Sequence, residues 1–308
     1  MTAVPRWAVP IRCCTEFVGW IVTQPESFCY HPSTHVRQSG FPQHIVVGLD
    51  GSTDSRRALA WAAALAETRE GTVIHLLEAL GLPPIPSQPW LAAATKIVEQ
   101  AETAAHAQLE IEARQLESAG IRTEIHIRRW LPAESLLELA EKVGAGLLAV
   151  GRRGQSLRQL LLGSVSGTVS REAKVPVAVV RGEHSSSIPR RILLALDGSP
   201  ASRIAAEAAA AWFPEAEIVA ASARRGDEGL SVAAISEELS AAGCAPERVR
   251  RHALTGDPAA SLLDLAQREK VDLICAGRRG QGPLHALFVG SVAEKLLQLA
   301  PCPLLLAH

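Results

Sequence analysis

The chain has 308 residues, of which 47% are hydrophobic and only 4% aromatic, and its formal net charge is −1. That length fits about two ordinary domains, with cores built mainly from Ala, Leu, Val and Ile. The near-neutral balance excludes a chain made to coat nucleic acid or an anionic membrane, and no apolar run approaches the roughly 18–20 residues of a bilayer span.

Residues 1–40 mix Trp7, Trp20 and several prolines without helical or strand periodicity. They lack an apolar run followed by a small-residue cleavage site, so no secretory signal is expected. The stretch reads as a poorly ordered extension, or as a gene start placed upstream of a true start near His35 to Phe41. The six cysteines (Cys13, Cys14, Cys29, Cys244, Cys275, Cys302) show neither zinc nor disulfide spacing. Scattered thiols of this kind fit a reducing cytoplasm.

Ile45 to Leu49 is a short apolar run that reads as a buried parallel strand, ending in Asp50-Gly51-Ser52. Helical spacing follows to Ala66, with Ser52 or Thr53 as N-cap. A second strand is expected at Thr72 to Leu77, a Pro-rich loop at 81–90, and a long helix from Leu91 to Ser118 ended by Gly120. Then come a strand at Ile121 to Arg128, a helix from Pro132 to Val143, a strand at Leu147 to Val150, a helix from Ser164 to Ala173 and a strand at Val175 to Val180. After a polar joint (Arg181 to Pro189) the order repeats. Strands are expected near Ile192–Leu196, Ile218–Ala221, Arg248–His252, Leu273–Ala276 and Leu304–Ala307.

The repetition extends to the residues themselves. HIVVGLDGSTDSRRAL (His44 to Leu59) returns as RILLALDGSPASRIAA (Arg191 to Ala206). PAESLLELAEKVGAGLLAVGRRGQ (Pro132 to Gln155) returns as PAASLLDLAQREKVDLICAGRRGQ (Pro258 to Gln281). Strands alternating with helices imply an α/β chain of two tandem five-stranded parallel sheets with helices on both faces. The domains would cover 41–183 and 189–308, joined by a linker at 184–188. If the strand order is 3-2-1-4-5, each ligand crevice lies beyond the carboxyl ends of strands one and four.

The unusual residues fall at those two ends. In the second copy strand one is followed by Asp197-Gly198-Ser199, and strand four by Gly277-Arg278-Arg279-Gly280, nine residues, then Gly290-Ser291. Glycines let a backbone approach a ligand closely. Free N–H groups at the start of the helix after Ser291 suit a phosphate. Glycines alone also read as two tight turns and a helix cap, and it is their place at the switch point that favours a nucleotide. Arg278 and Arg279 read either as phosphate donors or as a solvated pair. His285 reads as exposed, Cys275 as a small core residue and Cys302 as structural. No GxxxxGK[ST] loop, HxGH, SGGxDS or Ser-His-Asp set is present, and Asp197 is the one acid placed to assist hydrolysis.

DGS after strand one, G-D-P before the third helix and G-x-x-G-x9-G-S after strand four resemble the universal stress protein family, and both copies share the likeness. The resemblance implies an adenine-nucleotide hydrolase-like, Rossmann-like fold, pairing of domains through their last strands, and ATP bound with Mg²⁺ or Mn²⁺. The apolar segments Pro176 to Val180 and Pro303 to Ala307 would form an intramolecular pseudo-dimer, and the chain would pair again as a homodimer. By carry-over Asp197 would contact the adenosine part, with Gly198 and Ser199 of the same turn counted in the nucleotide site, Gly277, Gly280, Gly290 and Ser291 would wrap ribose and phosphates, and Ala220 and Ala221 would line the adenine pocket. In the first copy Asp50, Gly51, Gly151, Gly154, Gly163 and Ser164 take those places. That copy departs twice: only eight residues separate Gly154 from Gly163, and Trp130 stands where the second copy has Gly256. The expected function is a nucleotide-responsive module of stress adaptation acting on a protein partner. The alternatives are a nucleotide-free dimerisation scaffold and a slow ATPase.

Overall fold

A computed structural model describes residues 40–81, 91–152, 163–182, 188–224, 230–280 and 289–308. The first repeat runs β1 (His44–Leu49), α1 (Thr53–Ala66), β2 (Val73–Ala79), α2 (Leu91–Ser118), β3 (Arg122–Arg128), α3 (Pro132–Lys142), β4 (Leu147–Gly151), α4 (Ser164–Glu172) and β5 (Val177–Val180). The second runs β6 (Arg191–Ala195), α5 (Pro200–Trp212), β7 (Glu217–Arg224), α6 (Val232–Ala241), β8 (Val249–Thr255), α7 (Pro258–Arg268), β9 (Leu273–Gly277), α8 (Ser291–Leu299) and β10 (Leu304–Ala307). The extension before residue 40 and most of the joint, 183–187, lie outside the described residues.

All ten strands form one sheet in the order β3-β2-β1-β4-β5-β10-β9-β6-β7-β8. Each half therefore has the expected 3-2-1-4-5 order, and every pair within a half is parallel. The halves join where β5 meets β10 antiparallel, with Leu304 opposite Val179 and Leu306 opposite Val177. Two copies that meet through the same strand do so by an approximate two-fold axis, which forces that one pair to run antiparallel. The pairing surface expected from the last strands is thus used within the chain, and a second copy would have to meet it elsewhere.

Strand composition follows from burial on both faces. β5 and β10 (VAVV and LLLA) have no exposed residue, and each fully buried Val or Leu contributes about 1.5–3 kcal/mol. Alternate residues feed two cores. One lies under α1, α2, α5 and α6 and includes Trp61, Leu109, Trp212 and Ile235. The other lies under α3, α4, α7 and α8 and includes Leu136, Val169, Leu262 and Leu296. The long α2, 28 residues against ten in α6, accounts for most of the length difference between the repeats. On the first core Trp61 meets Phe213 across the two halves, and Trp212 Nε1 donates to the Gly40 carbonyl at 3.0 Å. Cys275 and Cys302 are buried, and burial pushes the Cys302 thiol to about 12 and that of Cys275 higher. Both are packing residues.

Candidate functional site

In the second half β6 and β9 are adjacent, with Ala195 opposite Ala276. The chain leaves β6 toward α5 on one face and leaves β9 toward α8 on the other, so a crevice opens between their carboxyl ends. It is bounded by Leu196, Asp197, Ala223, Pro258, Leu262, Gly277, Arg278, Arg279, Gly280, Val289, Gly290 and Ser291, among others, and encloses about 890 Å³ counted to the open mouth.

Asp197 is set by its own turn. Its Oδ1 accepts from the Ser199 N–H at 3.0 Å, with Gly198 at φ 79° supplying the left-handed step. Ser199 is buried and caps α5: its Oγ accepts from the Ser202 N–H at 3.1 Å and donates to the Arg279 carbonyl at 3.2 Å. Ser199 and Gly198 therefore shape the crevice without lining it. The glycines differ in role. A Cβ on Gly280 would come within 2.5 Å of Asp197 Oδ2, and one on Gly277 within 2.8 Å of the Ser202 backbone nitrogen. A Cβ on Gly290 would meet ordinary contacts of 3.5 Å or more. Gly290 closes the loop through its N–H, which donates to the Arg278 carbonyl at 2.9 Å.

The helices that start on Gly163 and Gly290 share an uncapped first turn. α1, α5, α6 and α7 begin on Ser52, Ser199, Ser231 and Asp257, whose side chains accept from the first turn. α4 and α8 face the two crevices and begin on Gly163 and Gly290, with no side-chain cap; α3 on Leu131 also lacks one. An uncapped first turn directs bare N–H groups and the positive end of the helix dipole into the crevice.

The structure corrects two sequence readings here. Ala220 is fully buried in the core under α5, on the far face of the sheet from the cavity. Strand periodicity of two puts Ala221 and Ala223 on the crevice face, and of these Ala223 lines the cavity. Arg278 is neither solvated nor aimed at a phosphate position. It is 4% exposed, its Nη1 donates to the Ala173 carbonyl at the end of α4, and its Nη2 lies 2.8 Å from the His308 ring. Arg152 and Arg181 of the first half reach the other way, to the Gln298 carbonyl, and Arg181 also to those of Leu296 and Leu297 at the end of α8. These arginines are reciprocal C-terminal caps that clamp the halves. Burial and the neighbouring Arg279 lower the Arg278 guanidinium to about 10. Burial, Arg278 and Arg279 together hold His308 at about 4.

The first half repeats the crevice. Gly48, Leu49, Asp50, Leu77, Ala79, Pro132, Leu136, Gly151, Gly163 and Ser164 bound about 830 Å³. Asp50 Oδ1 accepts from the Ser52 N–H at 3.0 Å, and Gly51 takes φ 74°. Gly154 lies outside the described residues, as do the equivalent loop residues after Gly280, His285 included. Trp130 does not fill the crevice: the residue is 51% exposed and its Nε1 donates to Glu134. Burial and Asp50 raise the carboxyl of Glu78 near this mouth. The motif reading expects a strand-two wall but at the wrong residues, and it misses Ala223 and Leu77 and the third-helix residues Leu262 and Leu136. Their signal was the strand alternation and the amphipathic pattern of the helix after each proline.

Comparison with known proteins agrees with this architecture. The chain matches the universal stress protein family over residues 42–181 and 213–308. It belongs to the universal stress protein family. The second matched segment starts after β6 and α5, so Asp197 rests on the structure and the internal repeat, not on that match. A universal stress protein of Mycolicibacterium smegmatis is 29% identical over 311 residues, covering 88% of this chain and 99% of the relative. One of Mycobacterium tuberculosis is 30% identical over 307 residues, covering 86% and 97%. The crystal structure of a universal stress protein from Archaeoglobus fulgidus superposes with a TM-score of 0.68 at 24% identity, covering 87% of this chain and 97% of that one. That likeness extends the fold, both halves included, to a solved structure.

Proposed function

We propose that the second half of this universal stress protein binds ATP, and that the bound nucleotide acts as a signal in a cytoplasmic regulatory module that a protein partner reads. One observation carries the reading: α8 opens on Gly290 without a side-chain cap, into the same crevice that Asp197 borders. Bare N–H groups suit phosphate oxygens. A carboxylate fixed by its own turn suits ribose hydroxyls. The apolar wall of Leu196, Ala223, Leu262 and Val289 suits a flat base.

Mg²⁺ or Mn²⁺ fits the same residues. Such ions are held largely by phosphate oxygens and water with one or two carboxylates, and Asp197 is the carboxylate at this mouth. Nearby, burial raises the carboxyl of Glu238, and the charge of Asp197 adds to that rise. A bound triphosphate would select the conformation that a partner recognises.

The test is mass spectrometry of ligand released from the purified native protein, with calorimetric titration of MgATP into nucleotide-free protein. Bound ATP or ADP, and affinity lost in Asp197→Ala, are expected. No ligand and no heat would replace this reading with the nucleotide-free scaffold. Turnover abolished by Asp197→Ala would replace it with an ATPase.

A further inference from the structure

Apart from either crevice, β1, β2 and β3 place four polar side chains together on the α3 side of the sheet. His75 lies opposite Glu124 in the β2–β3 register, His126 follows two residues later, and His44 opens β1. His75 Nδ1 is 3.1 Å from His126 Nε2 and 3.3 Å from Glu124 Oε2. The third side of the triangle, His126 Nε2 to Glu124 Oε2, is 3.8 Å. Ligand atoms about 2.0–2.2 Å from a tetrahedral zinc stand roughly 3.3–3.6 Å apart, so these three donors already approximate one face of such a tetrahedron. We propose that His75, Glu124 and His126 form a binding site for a divalent transition cation of the Zn²⁺ class, with water as the fourth ligand.

His44 supplies the support that a ligating histidine needs. Its Nδ1 lies 3.0 Å from His75 Nε2, the ring nitrogen that faces away from the triangle. A proton on that nitrogen, donated to His44, leaves the Nδ1 lone pair directed at the site and fixes the ring. His75 is 2% exposed and Glu124 is 55% exposed, so one side of the triangle opens to solvent for the water ligand.

The internal repeat shows that the fold does not demand this set. The matching positions on β6, β7 and β8 are Arg191, Val219, Arg250 and His252. There the sheet carries ion pairs instead: Arg191 and Arg250 each lie 2.9 Å from Glu217, and Arg250 lies 2.8 Å from Glu269. One copy neutralises this patch with its own charges. The other presents three lone-pair donors to a common point.

The experiment uses the full chain, stripped with chelator and free of nucleotide, titrated with ZnCl₂ by calorimetry and with CoCl₂ by visible absorption. One equivalent per chain is expected, with the intense visible bands of a near-tetrahedral cobalt site, no thiolate charge-transfer band, and displacement by zinc. His126→Asn should weaken zinc at least about 100-fold. Glu124→Gln, at an exposed position that leaves folding intact, should weaken it at least about 10-fold. His44→Asn should cost roughly 10-fold as a supporting residue. His252→Asn should change nothing. Any of three results overturns the proposal: no stoichiometric binding, affinity indifferent to Glu124→Gln and His44→Asn, or a thiolate band placing the cation on the cysteines. The first result would leave the histidines as a hydrogen-bonded chain only.

Discussion

Replacing Gly290 by aspartate sets stability against binding. The Gly290 backbone (φ −62°, ψ 149°) is close to those of Ser52 (−73°, 160°) and Ser199 (−77°, 156°), whose side chains cap their helices. A Cβ there meets nothing nearer than 3.5 Å, so an aspartate at 290 can cap α8 without strain. Capping in place of glycine adds a few tenths of a kcal/mol. A carboxylate at the helix start adds about 0.3–1 kcal/mol more through the dipole. The melting temperature should therefore rise by roughly 1–4 °C. The same carboxylate occupies the position assigned to phosphate. Two unit charges about 4 Å apart repel by about 4 kcal/mol at a surface-like dielectric, which corresponds to a loss near 10³-fold in affinity. Calorimetric titration of MgATP and a thermal melt of the same sample read both effects. Gly290→Ser separates them, because it caps without charge and should lower affinity much less. Nucleotide affinity within twofold of the parent, in a variant that melts higher, would refute the assignment of this helix start as the phosphate site.

Three further outcomes test the remaining assignments. Gly280→Val should displace Asp197, because the Cβ alone would come 2.5 Å from its Oδ2; MgATP affinity should fall about 10- to 100-fold, as expected for disturbing a hydrogen bond from a charged group. Asp50→Ala should cost less MgATP affinity than Asp197→Ala, and equal losses would contradict the asymmetry read from the shortened first loop. Arg278→Ala leaves the buried Ala173 carbonyl without its donor and should destabilise by about 1–3 kcal/mol; a loss of nucleotide affinity at unchanged melting temperature would return this guanidinium to the phosphates.

The pH dependence of stability has a defined sign. His308 is held at about 4 in the folded protein, below the ordinary histidine value of about 6.5. Between those values the unfolded chain binds the proton and the folded one does not, so stability falls as pH drops through this window. His75 and His126 are lowered too and act in the same direction. Melting temperatures measured between pH 7 and 4.5 should decline, and His308→Asn should flatten part of that slope. A slope unchanged by that variant would place the titration elsewhere.

The fold was legible because its signals are local. Apolar runs of four to six residues, serine caps and prolines at the first turn located nearly every element to within two residues. The crevice was legible at its ends, where Asp197 and the glycines follow strands directly. Side-chain direction was less so. Ala220 and Ala221 are neighbours in sequence, but the pleat sends them to opposite faces, and a motif copied by position does not carry that phase. Arg278 was misread for a related reason. Its partner, the Ala173 carbonyl, lies 105 residues away in the other half, and nothing near Gly277 in sequence indicates that a helix end will be there.

The copies diverge in the crevice loops and also at the outer strands. Both halves keep the aspartate turn, the glycine at the end of strand four and an uncapped helix start, because these follow from the switch point of the sheet. They differ at the outer strands. There the first half gathers His75, Glu124 and His126, backed by His44 of β1, while the second builds an arginine–glutamate network. A single-domain protein that paired with an identical copy would carry the same outer face twice. Fusing the copies through β5 and β10 removes that constraint, so one outer face can acquire a ligand set without imposing it on the other. The zinc titration of His252→Asn against His126→Asn tests this separation directly, since the two histidines occupy equivalent register positions in the two halves.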